Sequence, residues 1–172
     1  MKARAASFAR PTRPVLVVRG SARHHRSRIG VNVEKGVPMK TVSDEVRAAD
    51  VMRRRFVTVA PEDTIGEAAE KLARADEGSA LVVDYGHLVG ILTSRDVLRV
   101  LAARVHPSEA CVREWMSADP VTAEREMPAD EAAHAMLVGG FHHLPVVDQG
   151  RPVGVVGLRG VVGALRPLVP GW

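Results

Sequence analysis

The sequence predicts a mixed α/β (α+β) fold, built from two tandem β-α-β-β-α repeats packed as one module about a pseudo-two-fold axis. Three observations predict it. First, sliding the chain along itself by 64 residues brings Met52 onto Met116 and keeps both halves in register without a gap. At that offset Val57-Thr58 falls on Val121-Thr122, Glu67-Ala68-Ala69 on Glu131-Ala132-Ala133, Val82-Val83-Asp84 on Val146-Val147-Asp148, and Val89-Gly90 on Val153-Gly154. Self-similarity of this kind marks one supersecondary unit that has been duplicated. Second, within each copy, apolar residues at helical spacing alternate with short β-branched runs. Third, a copy of roughly 60 residues is marginal by itself, so the two are expected to share burial.

In the first copy Phe56-Val57-Thr58-Val59 reads as a short strand, closed by Ala60-Pro61-Glu62-Asp63. Thr64 opens a helix in which Ile65, Ala68, Ala69 and Leu72 recur on one face, with Glu67, Glu70, Lys71 and Arg74 on the other. Asp76-Glu77-Gly78 ends it. Ser79-Ala80-Leu81-Val82-Val83-Asp84 is a buried strand, Tyr85-Gly86 a tight turn, and the run from His87 to Leu92 the strand returning beside it. A closing helix over 93–103 takes its apolar face from Val97, Leu98, Leu101 and Ala102.

The second copy repeats the plan. Val121-Thr122 is its first strand, Pro128 a helix-start proline, 132–138 its helix, and the strands of 142–148 and 151–156 its hairpin. Its last helix is the weak one. Gly157, Gly160 and Gly163 replace Thr93, Asp96 and Arg99, and each helical glycine costs about 1 kcal/mol relative to alanine. The helices also carry more small and apolar residues than a two-repeat core needs: Ala68, Ala69, Leu72 and Ala73 in one copy, and Ala132, Ala133, Ala135 and Met136 in the other. A spare apolar face of this kind predicts a homodimer closed by two-fold pairing.

Ahead of the repeats the composition changes. Residues 1–38 hold nine Lys or Arg and one acid, Glu34, so the body from 39 onward carries a net −4 although the whole chain is +4. The basic character therefore belongs to the leader, and a body surface that would steer nucleic acid is not indicated. Such a leader is compatible with a transit peptide, a nucleic-acid arm, a disordered segment or an untranslated one. The codons for Glu34-Lys35-Gly36 form a purine tract resembling a ribosome-binding site, a short spacer before Met39. The expectation is that Met39 is the initiator, checked by mass spectrometry of the native N-terminus. Val15-Leu16-Val17-Val18 is too short for a signal core or a membrane span. Cys111 is the only cysteine, as expected of a reducing cytoplasm, and it forms neither a disulfide framework nor a thiolate metal cluster. The organisation expected is a leader over 1–38, a first repeat over 39–110, a second over 111–166 and a tail over 167–172.

The stretch on which function turns is Gly90-Ile91-Leu92-Thr93-Ser94-Arg95-Asp96, a buried strand handing over to a helix. Backbone N–H groups at such a junction can hold an anionic or hydroxyl-bearing ligand. Thr93 and Asp96 equally form a capping box, worth roughly 1 kcal/mol in itself, so ligand and cap both stand as readings.

With these motifs in place the chain resembles the CBS-domain family in its tandem form. The resemblance rests on Gly90 to Asp96, Ala49-Asp50-Val51-Met52, Val112-Arg113-Glu114-Trp115-Met116, Asp119-Pro120-Val121-Thr122 and Phe141-His142-His143-Leu144-Pro145-Val146-Val147-Asp148, and covers 48 to about 165. It implies a regulatory module that binds adenine nucleotides between its repeats, often as a disc-like dimer. By the same resemblance Asp96 takes ribose hydroxyls and Thr93 the sugar-phosphate side. Thr58 and Val59 form the wall for the base, and His142 and His143 meet the phosphates. Gly78 and Ser79, with Ala80 beside them, are the equivalent positions of the first copy, and Arg95 adds charge. For the histidine pair a plain strand entry, one ring exposed and one packed, remains the other reading. A metal site lacks a third ligand at suitable spacing.

The second copy reads Gly154-Val155-Val156-Gly157-Leu158-Arg159-Gly160, without either ligand-bearing side chain, so one nucleotide per chain is expected around Thr93 and Asp96. The ligand expected is AMP, ADP, ATP or S-adenosylmethionine, acting as a regulator and not as a catalytic cofactor. Competing readings are an empty interaction module, a nucleic-acid regulator if the leader is real, and an enzyme. Against an enzyme stand the lack of a P-loop lysine motif, a nucleophile elbow or a metal-ligand cluster in the sequence. Neither the downstream protein partner nor the pathway is legible.

Overall fold

The computed structural model describes residues 46–165. The leader over 1–38, the start at Met39 and the tail over 167–172 lie outside the described residues. The elements run α1 (Ala48–Val51), β1 (Val57–Val59), α2 (Ile65–Ala75), β2 (Ser79–Asp84), β3 (His87–Thr93), α3 (Ser94–Ala102), α4 (Val112–Trp115), β4 (Ser117–Ala118), α5 (Ala129–Gly139), β5 (His143–Asp148), β6 (Arg151–Gly157) and α6 (Leu158–Leu165). No helix among the described residues is long and apolar enough to cross a membrane.

Local chemistry sets most of these boundaries. Thr64 caps α2 by accepting from Glu67 N–H at 3.2 Å while the Glu67 carboxylate takes the Thr64 N–H at 2.8 Å, so two N-terminal donors are satisfied reciprocally. The left-handed Asp76 ends that helix. Tyr85-Gly86 and Gln149-Gly150 all have positive φ, which is the turn geometry whose twist matches a two-residue hairpin. Each hairpin carries a register shift at the same place, Val82/Val83 in one and Val146/Val147 in the other.

Pairing across the chain is crossed. β4, which opens the second repeat, pairs antiparallel with β3 of the first, and Arg53 pairs with Val155 of β6. The short helices follow their strands. Val112 of α4 is buried in the core of Val59, Ile65, Leu72, Val82, Leu92 and Val100. Ala48 of α1 is buried with Ala132, Met136, Leu144, Val146, Val156 and Val161. Each repeat thus lends a turn of helix to the other's core. Leu81, Ile91 and Val155, with Phe56, Val83 and Leu88, form a third cluster that joins the two hairpins.

The crossing explains two glycines. A Cβ on Gly154 would lie 2.6 Å from Met52 Sδ, and one on Gly90 would collide in the same way with Met116. These positions need the missing side chain for close approach.

Two expectations are corrected. Val121-Thr122 is not a strand; Ala123 makes an isolated parallel bridge to Val146, with hydrogen bonds to Pro145 O and from Val147 N–H at 2.9 Å each. The first copy pairs Val57 through Val59 against β2, where Leu81 supplies the next N–H along. Pro145 stands at the matching place and has no N–H to give, so the ladder stops after one rung. The second correction concerns the face offered for dimerisation. Five of the eight residues, Ala68, Leu72, Ala132, Ala133 and Met136, are buried inside the fold, while Ala69 and Ala135 are half-buried and Ala73 is exposed. The exposed large apolar side chains are instead Leu98, Leu101, Leu137, Val138 and Val162.

Candidate functional site

Asp96 is fully buried, and its carboxylate serves the fold. One oxygen accepts from Thr93 N–H at 2.9 Å and from the Thr93 hydroxyl at 2.7 Å, and the other accepts from Arg99 at 3.1 Å. Ser94 N–H, next in the first turn, donates to Gly78 O at 3.1 Å. The N–H groups of Thr93 and Ser94 at the start of α3 are therefore paired within the fold.

Of the other expected residues, Ser79 pairs with Thr93 across β2 and β3, and Gly78 lies at the same junction. Val59 and Ala80 point into the first repeat's core, leaving only their backbone for a ligand, while Thr58 lies exposed on β1. Arg95 and His142 are exposed. Ser79 and His143 do come together, at the starts of β2 and β5, and line a cleft between the repeats. The His143 ring lies against Gly78, where an added Cβ would sit 3.4 Å from its Nε2. Burial holds His143 below its ordinary pKa, and the neighbouring His142 pushes the same way, so the neutral ring is favoured.

That cleft is completed by Arg53, Arg55, Phe56, Glu77, Val155 and Gly157, none of which the sequence pointed to as a binding residue; Val155 and Gly157 belong to the second copy's stretch that lacks the ligand-bearing side chains. The cleft is open to solvent and its volume is ≈ 60 Å³. Phe56 and Val155 give it an apolar wall. Arg53 Nη1 lies 2.8 Å and 3.0 Å from the two Glu77 carboxylate oxygens, and Arg55 has no ion pair among the described residues. The signal for these residues was the basic run Arg53-Arg54-Arg55 ahead of the first strand.

The 64-residue offset relates this cleft to its counterpart and shows how they differ. Gly157 corresponds to Thr93, so the cleft with the arginines lacks the Thr-x-x-Asp pair. Arg53 and Arg55 correspond to Ser117 and Asp119, so the side with Thr93 and Asp96 lacks those two arginines and has Arg95 and Arg99 near its carboxylate instead. The Thr-x-x-Asp pair and the two arginines ahead of the first strand thus fall on opposite sides. No group of three metal-ligating side chains occurs among the described residues.

A sequence model of the CBS domain matches residues 48–103 and again 112–167. The chain belongs to the CBS domain family. This CBS pair is 32% identical over 120 residues to an uncharacterized protein of Methanopyrus kandleri, an alignment that takes in 68% of this chain and 61% of that one. The chain thus spans less than two thirds of that relative's length. Among solved structures it is similar to the CBS domain pair of protein MJ0100 in complex with 5′-methylthioadenosine and S-adenosyl-L-methionine, with a TM-score of 0.66 and 28% identity over 72% of this chain and 98% of that one. A CBS domain protein of Pyrobaculum aerophilum complexed with AMP gives a TM-score of 0.65 and 25% identity, over 71% and 99% of the two chains.

Proposed function

We propose that this CBS pair is a regulatory module of the cytoplasm, without catalysis of its own, that binds an adenine nucleotide or a related adenosine derivative between its repeats and signals through a change of shape or partner. The observation that carries the reading is the cleft in which Arg53, Arg55 and His143 stand beside Phe56 and Val155. Guanidinium groups are suited to phosphate oxygens, and an aromatic ring with an aliphatic neighbour to a flat base. Adenosine compounds bound to the two similar structures support that ligand class.

A second reading puts the ribose at Thr93 and Asp96, and the half-buried Thr93 hydroxyl on Asp96 favours it. We place the phosphates on the arginine side, because Arg53 and Arg55 both line that cleft, whereas on the other side Arg99 is already held by Asp96. The exposed Leu98, Leu101, Leu137, Val138 and Val162 are the proposed surface of a homodimer, which light scattering at micromolar concentration checks.

The test is a thermal-shift panel of AMP, ADP, ATP, guanine nucleotides and S-adenosylmethionine on the full chain. Ligand at a hundred times its dissociation constant stabilises the folded state by about 2.7 kcal/mol, so a saturable shift with adenine compounds is expected. Absence of any shift at millimolar ligand would favour an interaction module with empty clefts.

A further inference from the structure

We propose that the Arg53–Glu77 ion pair is a latch across the inter-repeat cleft, and that an anionic ligand opens it by taking Arg53 from Glu77; the inference rests on the nucleotide reading above. The two halves of the pair are anchored to different repeats. Arg53 N–H donates to Val155 O at 2.9 Å and Arg53 O accepts from Val155 N–H at 3.0 Å, so its backbone moves with β6. Glu77 N–H donates to Leu72 O at 3.1 Å behind the left-handed Asp76, which ties it to the end of α2 and the start of β2. The pair is therefore a tie between the repeats as well as a contact within the cleft.

The open cleft offers ≈ 60 Å³, below the roughly 300 Å³ at which small-molecule pockets begin, so burying a nucleotide in it calls for the lining to move. The backbone on both sides is held by ladder and cap bonds. The Arg53 side chain, 69% exposed, is the loosest part, and exposed pairs of this kind hold weakly. Charge points the same way. Glu77 neutralises one of the two cleft arginines and sets a carboxylate where a phosphate would arrive. A ligand phosphate replaces that carboxylate on Arg53, Glu77 turns to solvent, and one tie between the repeats is lost. Arrival of the anion thereby exchanges one side-chain tie across the cleft for a bond to the ligand, while the backbone pairing of Arg53 with Val155 stays in place.

Isothermal titration of the full chain with AMP, inorganic pyrophosphate and uncharged adenosine tests this on wild type, Glu77→Gln and Arg53→Gln. Removing the internal competitor in Glu77→Gln should tighten AMP and pyrophosphate about fivefold, or about 1 kcal/mol, and leave adenosine unchanged. Arg53→Gln should weaken AMP. Opposite signs from the two halves of one pair are the mark of a latch, since a merely structural pair would shift both variants alike. Both side chains are solvent-accessible, and matching far-UV spectra and melting temperatures establish that the variants are folded. Wild type that binds AMP while Glu77→Gln binds it equally well, or tightens adenosine as much, sinks the latch and leaves the nucleotide reading standing. No binding of AMP by any of the three proteins sinks the nucleotide reading and the latch together.

Discussion

One methyl group at Gly154 tests the strapping of α1 onto the second repeat. In Gly154→Ala the new Cβ would lie 2.6 Å from Met52 Sδ, 3.0 Å from Met52 Cγ and 3.1 Å from Arg53 O. Carbon-sized atoms rest at about 3.5–4.0 Å, so the overlap with the sulfur is on the order of 1 Å. Neither neighbour is free to yield: the sulfur sits midway along its side chain, and Arg53 O accepts from Val155 N–H at 3.0 Å. Overpacking of this kind costs about 1–3 kcal/mol. Met52→Ala alone loses the packing of a half-buried side chain, which puts it at or below the ~2 kcal/mol lower end for a fully buried methionine. In the double variant the alanine methyl occupies space that Met52 has left, so the combined loss should fall short of the sum by about 1 kcal/mol. Equilibrium urea unfolding reads this as a midpoint change at constant slope. A Gly154→Ala protein within ~0.5 kcal/mol of wild type, or strict additivity of the pair, refutes the close-approach argument.

Asp96→Asn should cost more than an exposed cap. The carboxylate is buried and takes bonds from both Thr93 groups and Arg99, which puts the loss at about 2–4 kcal/mol against the usual ~1. With the phosphates on Arg53 and Arg55, the folded variant should bind AMP within about twofold of wild type by titration calorimetry; abolished binding would move the ligand to the Thr93 side. His143 gives a pH dependence. Its folded pKa lies below the ordinary 6.5, so the unfolded chain takes up the proton first. Its contribution is complete above about 6.5 and is lost as pH falls from there through the folded value. His143→Gln should therefore flatten the fall in melting temperature between about pH 7.5 and 5.5, and an unchanged slope would contradict the assignment.

The sequence by itself determined the duplication, the hairpins and the caps, because these depend on spacing and on residues a few positions apart. Thr64 at the start of α2, Tyr85 with Gly86 and the bounds of β2 all rest on near neighbours and stand where the spacing put them. The resemblance carried by Gly90 to Asp96 named the family for the same reason. Only the tertiary structure decided what each element meets. Pro145 ends a ladder because of the N–H it withholds from a strand paired with it from outside the hairpin, and nothing in its own neighbourhood announces that. The alanines of α2 and α5 read as a spare face, yet small side chains serve close packing equally well, and only the tertiary structure shows Ala68, Ala132 and Ala133 buried while Ala73 stays exposed. Asp96 carries a pattern common to caps and ligand sites; the tertiary structure adds its burial and its bonds to Thr93 and Arg99. The arginine cleft was the least legible part. It exists because crossed pairing carries a segment from before the first strand onto β6 near the other end of the chain, bringing Arg53 and Arg55 to Gly157 and His143. Charges so far apart along the sequence acquire a common partner only when the two repeats fold against each other.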